Sequence, residues 1–471
     1  MNIFKNLENF KNRICAITDE GNKYSYKQLI NEGLKFKYIK PRSIVFLISE
    51  NSIDFLIIYT HLIKFGSVVF LINHDIHKDK FHLLINIYKP KFIFVNKNYL
   101  FSLNKYELNR EYNSYKIYEY KIFKETQVSN NLSLLISTSG TTGSKKFVML
   151  SYNNIYFNTL SIIKYLKINK NSRTITNLAP SYSYGLSIIN TFLYSGASIV
   201  ITKSTIIEKK FWELFDNYSV NNFNGVPFTY ETLDKIGFFK KDFKNLKCAT
   251  IAGGPLNVDL LKKFILFFDK KNIQFYNMYG QTEASPRMSY INLQKLKKNM
   301  GSIGKPVFGG KFILKDDSNN IIKNNYTNGN LHYIGKNIML GYATCRSSLK
   351  KIKVIKILKT FDIAYRNRNG FYFIVGRKSR IKKINSIRIN LDELQKQIKL
   401  QANINNIIIE KNNSLIIFLE VNKNNENIEQ NDIINTISKI IRINKNFLKI
   451  RSLKKFPYLS NGKINYKILE K

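Results

Sequence analysis

The 471-residue chain is long enough for two or three domains, and its 44% hydrophobic and 14% aromatic content excludes a disordered protein. No apolar run reaches the roughly 18 to 20 residues that a membrane span needs, and residues 1–9 lack the apolar core of a secretory signal. The net charge of +43 suits acidic partners, but the lysines are scattered without a separate basic block, which does not favour nucleic-acid binding. Three widely spaced cysteines indicate a reducing cytoplasm.

Strand and helix signals alternate over the first 300 residues. A helical pattern at residues 52–65 lies between two of the apolar runs. Such alternation predicts an α/β architecture in which helices cross over a parallel sheet. The runs that predict buried strands are residues 44–48, 67–72, 92–95, 198–201 and 249–252.

The pattern changes beyond about residue 300. Short apolar segments at 312–314 and 331–334, separated by Gly, Asp and Asn turns, predict a small β-rich subdomain. After residue 377 the sequence predicts a compact α+β tail with an Asn-rich solvated loop at 422–431. Its elements are helices near 391–401 and 431–443 and strands at 407–409 and 415–419.

Residues 137–146 form the most informative motif. They hold three serines, three threonines, two glycines and two lysines directly after the apolar run Leu134–Ile136. Hydroxyl groups, backbone N–H groups freed by glycine and ammonium charge together suit a phosphate. The spacing is not that of a Walker A loop.

This loop resembles the phosphate loop of the adenylate-forming superfamily, which includes acyl-CoA synthetases, luciferases and amino-acid-adenylating domains. The family loop reads T-S-G-T-T-G-x-P-K, and the chain departs from it at Lys145 in place of proline. The resemblance implies that ATP is bound here, with Lys146 as the loop lysine. The other residues that it implies are Ser139, Gly140, Thr141, Thr142 and Gly143.

Residues 276–283 match the Y-G-x-T-E motif of that superfamily without a gap. The motif supplies the Tyr279 ring to stack on adenine and Gly280 for close approach. Thr282 adds a hydroxyl for the α-phosphate, and Glu283 adds a carboxylate for Mg²⁺, which needs only one or two protein carboxylates beside a nucleotide.

Residues 177–187 resemble the segment that lines the acid pocket. It carries no acidic residue, whereas members that activate amino acids usually place an aspartate there to pair with the α-ammonium group. Two glycine turns resemble those beside the pocket and the adenine. The implied pocket residues are Tyr182, Ser183, Tyr184, Gly225 and Val226, and the turn beside the adenine is Gly253–Gly254.

The C-terminal third carries the remaining motifs of the resemblance. Asp362, preceded by Phe361 where the family has glycine, would bind the ribose hydroxyls, with Arg377 beside it. Ser379 takes the hinge position, and Ser386 stands where the family has another glycine. Lys463 matches the lysine that bridges the substrate carboxylate and the α-phosphate.

The resemblance implies an ATP- and Mg²⁺-dependent ligase that joins a carboxylic acid to AMP and then passes the acyl group to a thiol. Coenzyme A and a carrier-protein phosphopantetheine are both open as the acceptor. We expect an N-terminal AMP-binding domain over residues 1–376 and a mobile C-terminal domain over 377–471. An amino-acid-adenylating enzyme similar to D-alanine ligases and a non-catalytic nucleotide-binding relic are the alternatives, and the acid stays open.

Overall fold

The computed structural model describes residues 2–99, 103, 105–121, 127–137, 146–350, 352, 354–384, 387–402, 404–421, 430–441, 443–459 and 463–470. The strands are β1 Ile14–Ile17, β2 Lys23–Ser25, β3 Ile44–Ser49, β4 Val68–Asn73, β5 Phe92–Asn96, β6 Tyr106–Tyr112, β7 Tyr115–Tyr120, β8 Leu132–Ser137, β9 Phe147–Ser151, β10 Arg173–Ile175, β11 Ser198–Val200, β12 Asn222–Gly225, β13 Cys248–Ile251, β14 Gln274–Gly280, β15 Arg287–Asn292, β16 Lys305–Pro306, β17 Lys311–Lys315, β18 Gly329–Ile334, β19 Tyr342–Ala343, β20 Leu358–Arg366, β21 Tyr372–Arg377, β22 Ile381–Ile384, β23 Ile387–Asn390, β24 Asn406–Lys411, β25 Ser414–Glu420 and β26 Leu448–Leu453. The helices are α1 Tyr26–Gly33, α2 Ile53–Lys64, α3 Lys78–Tyr88, α4 Tyr152–Leu166, α5 Ser183–Tyr194, α6 Lys209–Asn217, α7 Pro227–Lys235, α8 Val258–Lys270, α9 Leu293–Lys298, α10 Leu391–Ala402, α11 Gln430–Ile441 and α12 Tyr466–Leu469.

The chain forms two compact units, and the first comprises residues 1–311 and 334–358. It holds a nine-stranded sheet of order β16-β15-β14-β13-β12-β10-β11-β1-β2 and an eight-stranded sheet of order β19-β9-β8-β4-β3-β5-β7-β6. In the first sheet β10 to β14 are parallel to one another, and β14 pairs with β15 in the antiparallel sense. In the second sheet β3, β4, β5 and β8 are parallel to one another.

Continuous apolar runs form these parallel strands because both faces of each sheet are covered. All six residues of β3 are buried. The rings of Phe46 and Phe70 on neighbouring strands lie 4.9 Å apart, and Tyr88 of α3 packs on Phe70 at 4.7 Å. Aromatic pairs at such distances add to the stability that burial alone provides.

The second unit comprises residues 312–333 and 359–471. It contains the four-stranded sheet β17-β18-β20-β21, the pair β22-β23 and the three-stranded sheet β24-β25-β26. Side chains of β24 and β25 alternate between two apolar clusters, one shared with α10 and α11 and the other with Phe456 and Leu469. The chain before and after Lys463 is thereby held against one face of the three-stranded sheet.

The α/β fold predicted from the sequence is confirmed, with large sheets and a smaller C-terminal sheet domain. The predicted strand runs and the helices near 52–65, 391–401 and 431–443 form with small shifts at their ends. Most of the Asn-rich loop predicted at 422–431 lies outside the described residues. The boundary between residues 376 and 377 stays a prediction, because the second unit also takes in residues 312–333 and 359–376. Among the described residues, no helix has both the length and the apolar character needed to span a bilayer.

Candidate active site

Three motifs predicted from the sequence lie at one edge of the nine-stranded sheet. Strands β12, β13 and β14 are adjacent and parallel, with Gly225 opposite Ile251 and Ile251 opposite Asn277. Val226 and Gly253 lie in the turns that follow β12 and β13, and Gly280 is the last residue of β14. The carboxyl ends of parallel strands are the usual place for a ligand site in α/β proteins.

Two glycines at this edge, Gly280 and Gly253, have close neighbours. A Cβ on Gly280 would lie 1.9 Å from the carbonyl oxygen of Pro286, so a side chain there requires the backbone to move. Gly253 has a φ of +101°, and a Cβ there would lie 2.7 Å from the hydroxyl of Tyr182. The structure thus brings the predicted pocket tyrosine against the predicted glycine turn.

The N-terminal end of α5 connects the pocket segment to the Y-G-x-T-E motif. The hydroxyls of Ser183 and Thr282 are 3.1 Å apart, and both residues are buried. Tyr184 points into the sheet instead, where its hydroxyl lies 2.6 Å from Thr250 Oγ1. Burial raises the pKa of Tyr184, so this hydroxyl stays protonated. Tyr184 therefore fixes the position of α5, and Ser183 presents a polar atom beside Thr282.

The predicted metal-binding carboxylate is held by a residue that the sequence analysis did not assign. The hydroxyl of Tyr342 donates a 2.8 Å hydrogen bond to Oε1 of Glu283. The Nζ atom of Lys146 lies 3.4 Å from the centre of the Tyr342 ring. Burial and the nearby carboxylate raise the pKa of Tyr342, which keeps the phenol as a donor. One tyrosine thus brings the loop lysine and the carboxylate together.

The second unit carries the two predicted ribose ligands as a direct pair. Asp362 and Arg377 are opposite each other on β20 and β21, and Nε of Arg377 donates to Oδ1 of Asp362 at 2.9 Å. The carboxylate is buried, while most of the arginine side chain is exposed. Thr360 Oγ1 accepts a 3.1 Å bond from the backbone N–H of Asp362, which fixes the strand beside the carboxylate.

Phe361 stands where the family pattern has glycine. Its φ is +63°, a left-handed backbone conformation that glycine adopts without strain and that a bulky residue adopts at a cost. The side chain is 62% exposed, so little packing compensates for that cost. The left-handed backbone conformation explains why the family motif has glycine at this position. This chain keeps that conformation although it has phenylalanine there.

The predicted hinge and catalytic lysine also lie in the second unit. Ser379 is the middle residue of a short 3-10 helix, Lys378–Arg380, directly after β21. Arg380 forms a 2.8 Å ion pair with Asp392, which ties this turn to the start of α10. Lys463 is partly buried, and its carbonyl accepts a 2.7 Å bond from the N–H of Leu459.

Several predicted residues lie outside the described residues. They are Ser139, Gly140, Thr141, Thr142 and Gly143 of the phosphate loop, together with Ser386. Gly254 is described and lies exposed in its turn, with Pro227 3.4 Å from where its Cβ would be.

The structure adds a buried cation that the sequence analysis missed. Arg287 begins β15 and is only 3% exposed. Its guanidinium lies 4.1 Å from the centre of the Tyr184 ring and within reach of the Ser187 hydroxyl at 3.5 Å. The only signal in the sequence is a basic residue four positions after Glu283, and its surroundings become visible only in the fold.

The profile of the family described as "AMP-binding enzyme" matches residues 3–343. The chain belongs to this family. The match ends within β19, immediately after Tyr342, so it takes in the ends of β12, β13 and β14 and the Tyr342–Glu283 contact. The resemblance stated from the motifs is confirmed.

Curated relatives of this AMP-binding enzyme include CoA ligases and bacitracin synthases. Oxalate–CoA ligase of Saccharomyces cerevisiae is 25% identical over 353 residues, which cover 72% of this chain and 63% of that protein. 2-Succinylbenzoate–CoA ligase of Bacillus subtilis is 24% identical over 245 residues, 52% of this chain and 49% of that protein. The chain therefore spans about half to two thirds of these relatives. Bacitracin synthase 3 of Bacillus licheniformis is 25% identical over 81% of this chain, which is 6% of that protein.

Solved structures show the same fold over the whole chain. O-succinylbenzoate coenzyme A synthetase from Bacillus subtilis in complex with AMP has a TM-score of 0.78 at 17% identity, covering 100% of this chain and 98% of that one. The same enzyme with ATP and a magnesium ion has a TM-score of 0.78 at 18% identity, covering 100% and 99%.

Proposed function

We propose that this AMP-binding enzyme is an AMP-forming carboxylic acid:thiol ligase that uses ATP and Mg²⁺. The observation that carries the proposal is the contact of Tyr342 with both Glu283 and Lys146, because it brings a metal-binding carboxylate and the last residue of a phosphate loop to one place. The named activities of the relatives, oxalate–CoA and 2-succinylbenzoate–CoA ligation, support it.

In the first half-reaction an oxygen of the substrate carboxylate attacks the α-phosphorus of ATP, and the bond to pyrophosphate breaks. The product is an acyl-AMP. Thr282 donates its hydroxyl to the α-phosphate, and Asp362 with Arg377 holds the ribose. Lys463 neutralises the charge that gathers between the carboxylate and the phosphate, which is where a fixed cation lowers the barrier most.

The magnesium site fits the residues present. Glu283 is partly exposed, and one of its oxygens accepts the Tyr342 hydrogen bond, which leaves a second oxygen for a cation that otherwise takes phosphate and water. When bound, the ion would neutralise phosphate charge. We found no group of three or more His, Cys, Asp or Glu side chains suited to a metal in the part of the chain that the structure describes.

In the second half-reaction a thiol attacks the carbonyl carbon of the acyl-AMP, a thioester forms, and AMP leaves. The thiol belongs to coenzyme A or to the phosphopantetheine arm of a carrier protein. A small C-terminal domain over residues 377–471 that turns at Ser379 would let Lys463 serve the first step and leave for the second. We place the reaction in the cytoplasm, where the three cysteines stay as free thiols.

An amino acid is a weaker candidate for the substrate. Residues 177–187 offer no carboxylate to an α-ammonium group, and Arg287 adds positive charge beside Tyr184. A cation in that place repels an ammonium group and attracts an anion. The absence of an acidic residue from this segment, with a cation rather than an anion near it, favours an acid that carries no α-ammonium group.

The test is acid-dependent release of pyrophosphate from ATP, measured with fatty, hydroxy, aryl, dicarboxylic and amino acids. Release with one class of acid that is lost in Lys463→Ala supports the ligase. ATP binding without release for any acid contradicts it and supports a nucleotide-binding relic. Adding coenzyme A or a carrier protein to the active pair then identifies the acceptor through thioester formation.

A further inference from the structure

Arg287 is a buried cation without an anionic partner. Its side chain lies within the first unit, and no carboxylate of the described residues is within ion-pair distance of it. Its neighbours are all neutral: the Tyr184 ring at 4.1 Å, Met278 Sδ at 3.3 Å from Nε, and the Ser187 hydroxyl at 3.5 Å from Nη2. The Tyr165 hydroxyl, whose bond to Met278 Sδ is 2.9 Å, is also close to it.

This arrangement is costly for a core residue. A guanidinium carries five N–H donors and its charge in a protein is permanent. A thioether and hydroxyls at these distances are weak acceptors, and a buried charge is normally paired. Among the described residues the missing component is an anion.

Helix α5 links Arg287 to Thr282. Ser187 lies four residues after Ser183 on α5, so both side chains are on one face of that helix, about 6 Å apart along its axis. Ser183 contacts Thr282, and Ser187 contacts Arg287. The guanidinium therefore contacts α5 one helical turn from Ser183, whose hydroxyl lies beside Thr282.

We propose that the acid activated by this enzyme is a dicarboxylate, and that Arg287 binds the carboxylate that does not react. This rests on the ligase activity proposed above and names its class of substrate. One carboxylate of the substrate lies at Thr282 and attacks the α-phosphorus. The other forms charge-assisted hydrogen bonds with the guanidinium, whose planar donors match a carboxylate in pairs.

The same geometry predicts strong rejection of acids with one carboxylate. A methyl group in place of the distal carboxylate leaves Arg287 buried and unpaired in the complex. Sites built around a buried polar group discriminate against analogues that lack its partner far better than apolar sites discriminate by size. We expect the diacid to exceed the matched monoacid by at least about 100-fold in kcat/KM.

The experiment compares succinate, glutarate and adipate with butyrate, pentanoate and hexanoate, which have the same chain lengths. Pyrophosphate release gives kcat/KM for the wild type, Arg287→Met and Arg287→Lys. In the methionine variant the value for the preferred diacid should fall about 100-fold, and the value for its monoacid should fall less than about 3-fold or rise. The lysine variant should restore part of the diacid activity through its charge.

Arg173→Met is the matched control. Arg173 lies on β10 of the same sheet and also has neutral partners, Ser198 Oγ and the carbonyl of Tyr218, but it is at the amino end of its strand. The Arg173→Met variant should leave the preference for diacid over monoacid unchanged. Circular dichroism and the thermal midpoint establish that each variant is folded.

Three results would overturn the inference. Monoacids used as well as every diacid by the wild type would refute it while the ligase activity stands. An equal loss for both acids in folded Arg287→Met would mean that the arginine only supports Tyr184. If none of the acids gives pyrophosphate release, the ligase proposal is refuted, and the dicarboxylate proposal is refuted with it.

Discussion

Replacing Phe361 by glycine should relieve backbone strain beside Asp362, the carboxylate proposed to bind the ribose. The φ of +63° costs an L-residue about 1–2 kcal/mol, whereas glycine pays about 0.5–1 kcal/mol in lost backbone freedom on folding. Phe361→Gly should therefore be more stable than Phe361→Ala by up to about 1.5 kcal/mol. Alanine is the right comparison because it removes the exposed ring but keeps the strained Cβ.

Lys359 is the control position for the alanine–glycine comparison at residue 361. It lies two residues earlier on β20, is exposed, and is absent from the residues with positive φ. There the order should reverse, and alanine should be more stable than glycine by about 0.5–1 kcal/mol. The contrast between the two alanine–glycine pairs, about 1–2 kcal/mol, isolates the strain, because the entropy of glycine cancels.

Urea denaturation followed by circular dichroism gives the four midpoints and slopes. Equal slopes allow the differences in midpoint to be converted into differences in the free energy of unfolding. The reasoning is wrong if glycine is less stable than alanine by the same amount at both positions. That result would mean that the left-handed backbone at residue 361 carries no cost.

Three further outcomes follow from the site and its surroundings. Lys463→Ala should lower acid-dependent pyrophosphate release about 100- to 1,000-fold while ATP binding, measured by calorimetry, changes less than about 3-fold, and an equal loss of both would contradict its proposed role. Asp362→Asn should raise the KM for ATP about 10- to 100-fold and remove the preference for ATP over 2′-deoxy-ATP; a preference that persists would place the ribose elsewhere. Hydrogen bonds with neighbouring serines lower the pKa of Cys345 to about 7, so its thiolate forms above that pH and its alkylation rate should reach half of its maximum near pH 7. Burial raises the pKa of Cys15 and of Cys248 to about 12, so mass spectrometry should find both unlabelled at that pH, and labelling of either would contradict their burial.

The parts of the fold that the sequence predicted are those with a local cause. Runs such as residues 44–48 are apolar at every position because both faces of their sheet are covered, and that pattern needs no knowledge of partners. The hairpin of β6 and β7 was not predicted. Only the ends of β6 are buried, so its sequence carries almost no strand signal, and it forms because β7 pairs with β5.

The residues of the candidate site also divide into those with a local sequence signal and those that depend on distant contacts. Glu283 and Asp362 were predicted as site residues because they lie within short motifs. Tyr342 was not assigned to the site from the sequence, because its contact with Glu283 is a hydrogen bond to a residue 59 positions earlier. Arg287 was not identified because an arginine in a sequence gives no sign of being buried without a carboxylate. Both depend on distant neighbours, which a single sequence does not specify.

The path of the chain sets an order for building the protein on the ribosome. The first unit is interrupted at residue 311 and resumes at residue 334, and β19 pairs with β9, almost 200 residues earlier. Met339 N–H also donates a 2.9 Å bond to the carbonyl of Glu283. The carboxylate therefore gains its supports only after residues 312–333 have been synthesised. A nascent chain stopped before residue 334 has every strand of the nine-stranded sheet but lacks the Tyr342 and Met339 hydrogen bonds to Glu283. The surroundings of Glu283 are therefore among the last features of the first unit to be completed.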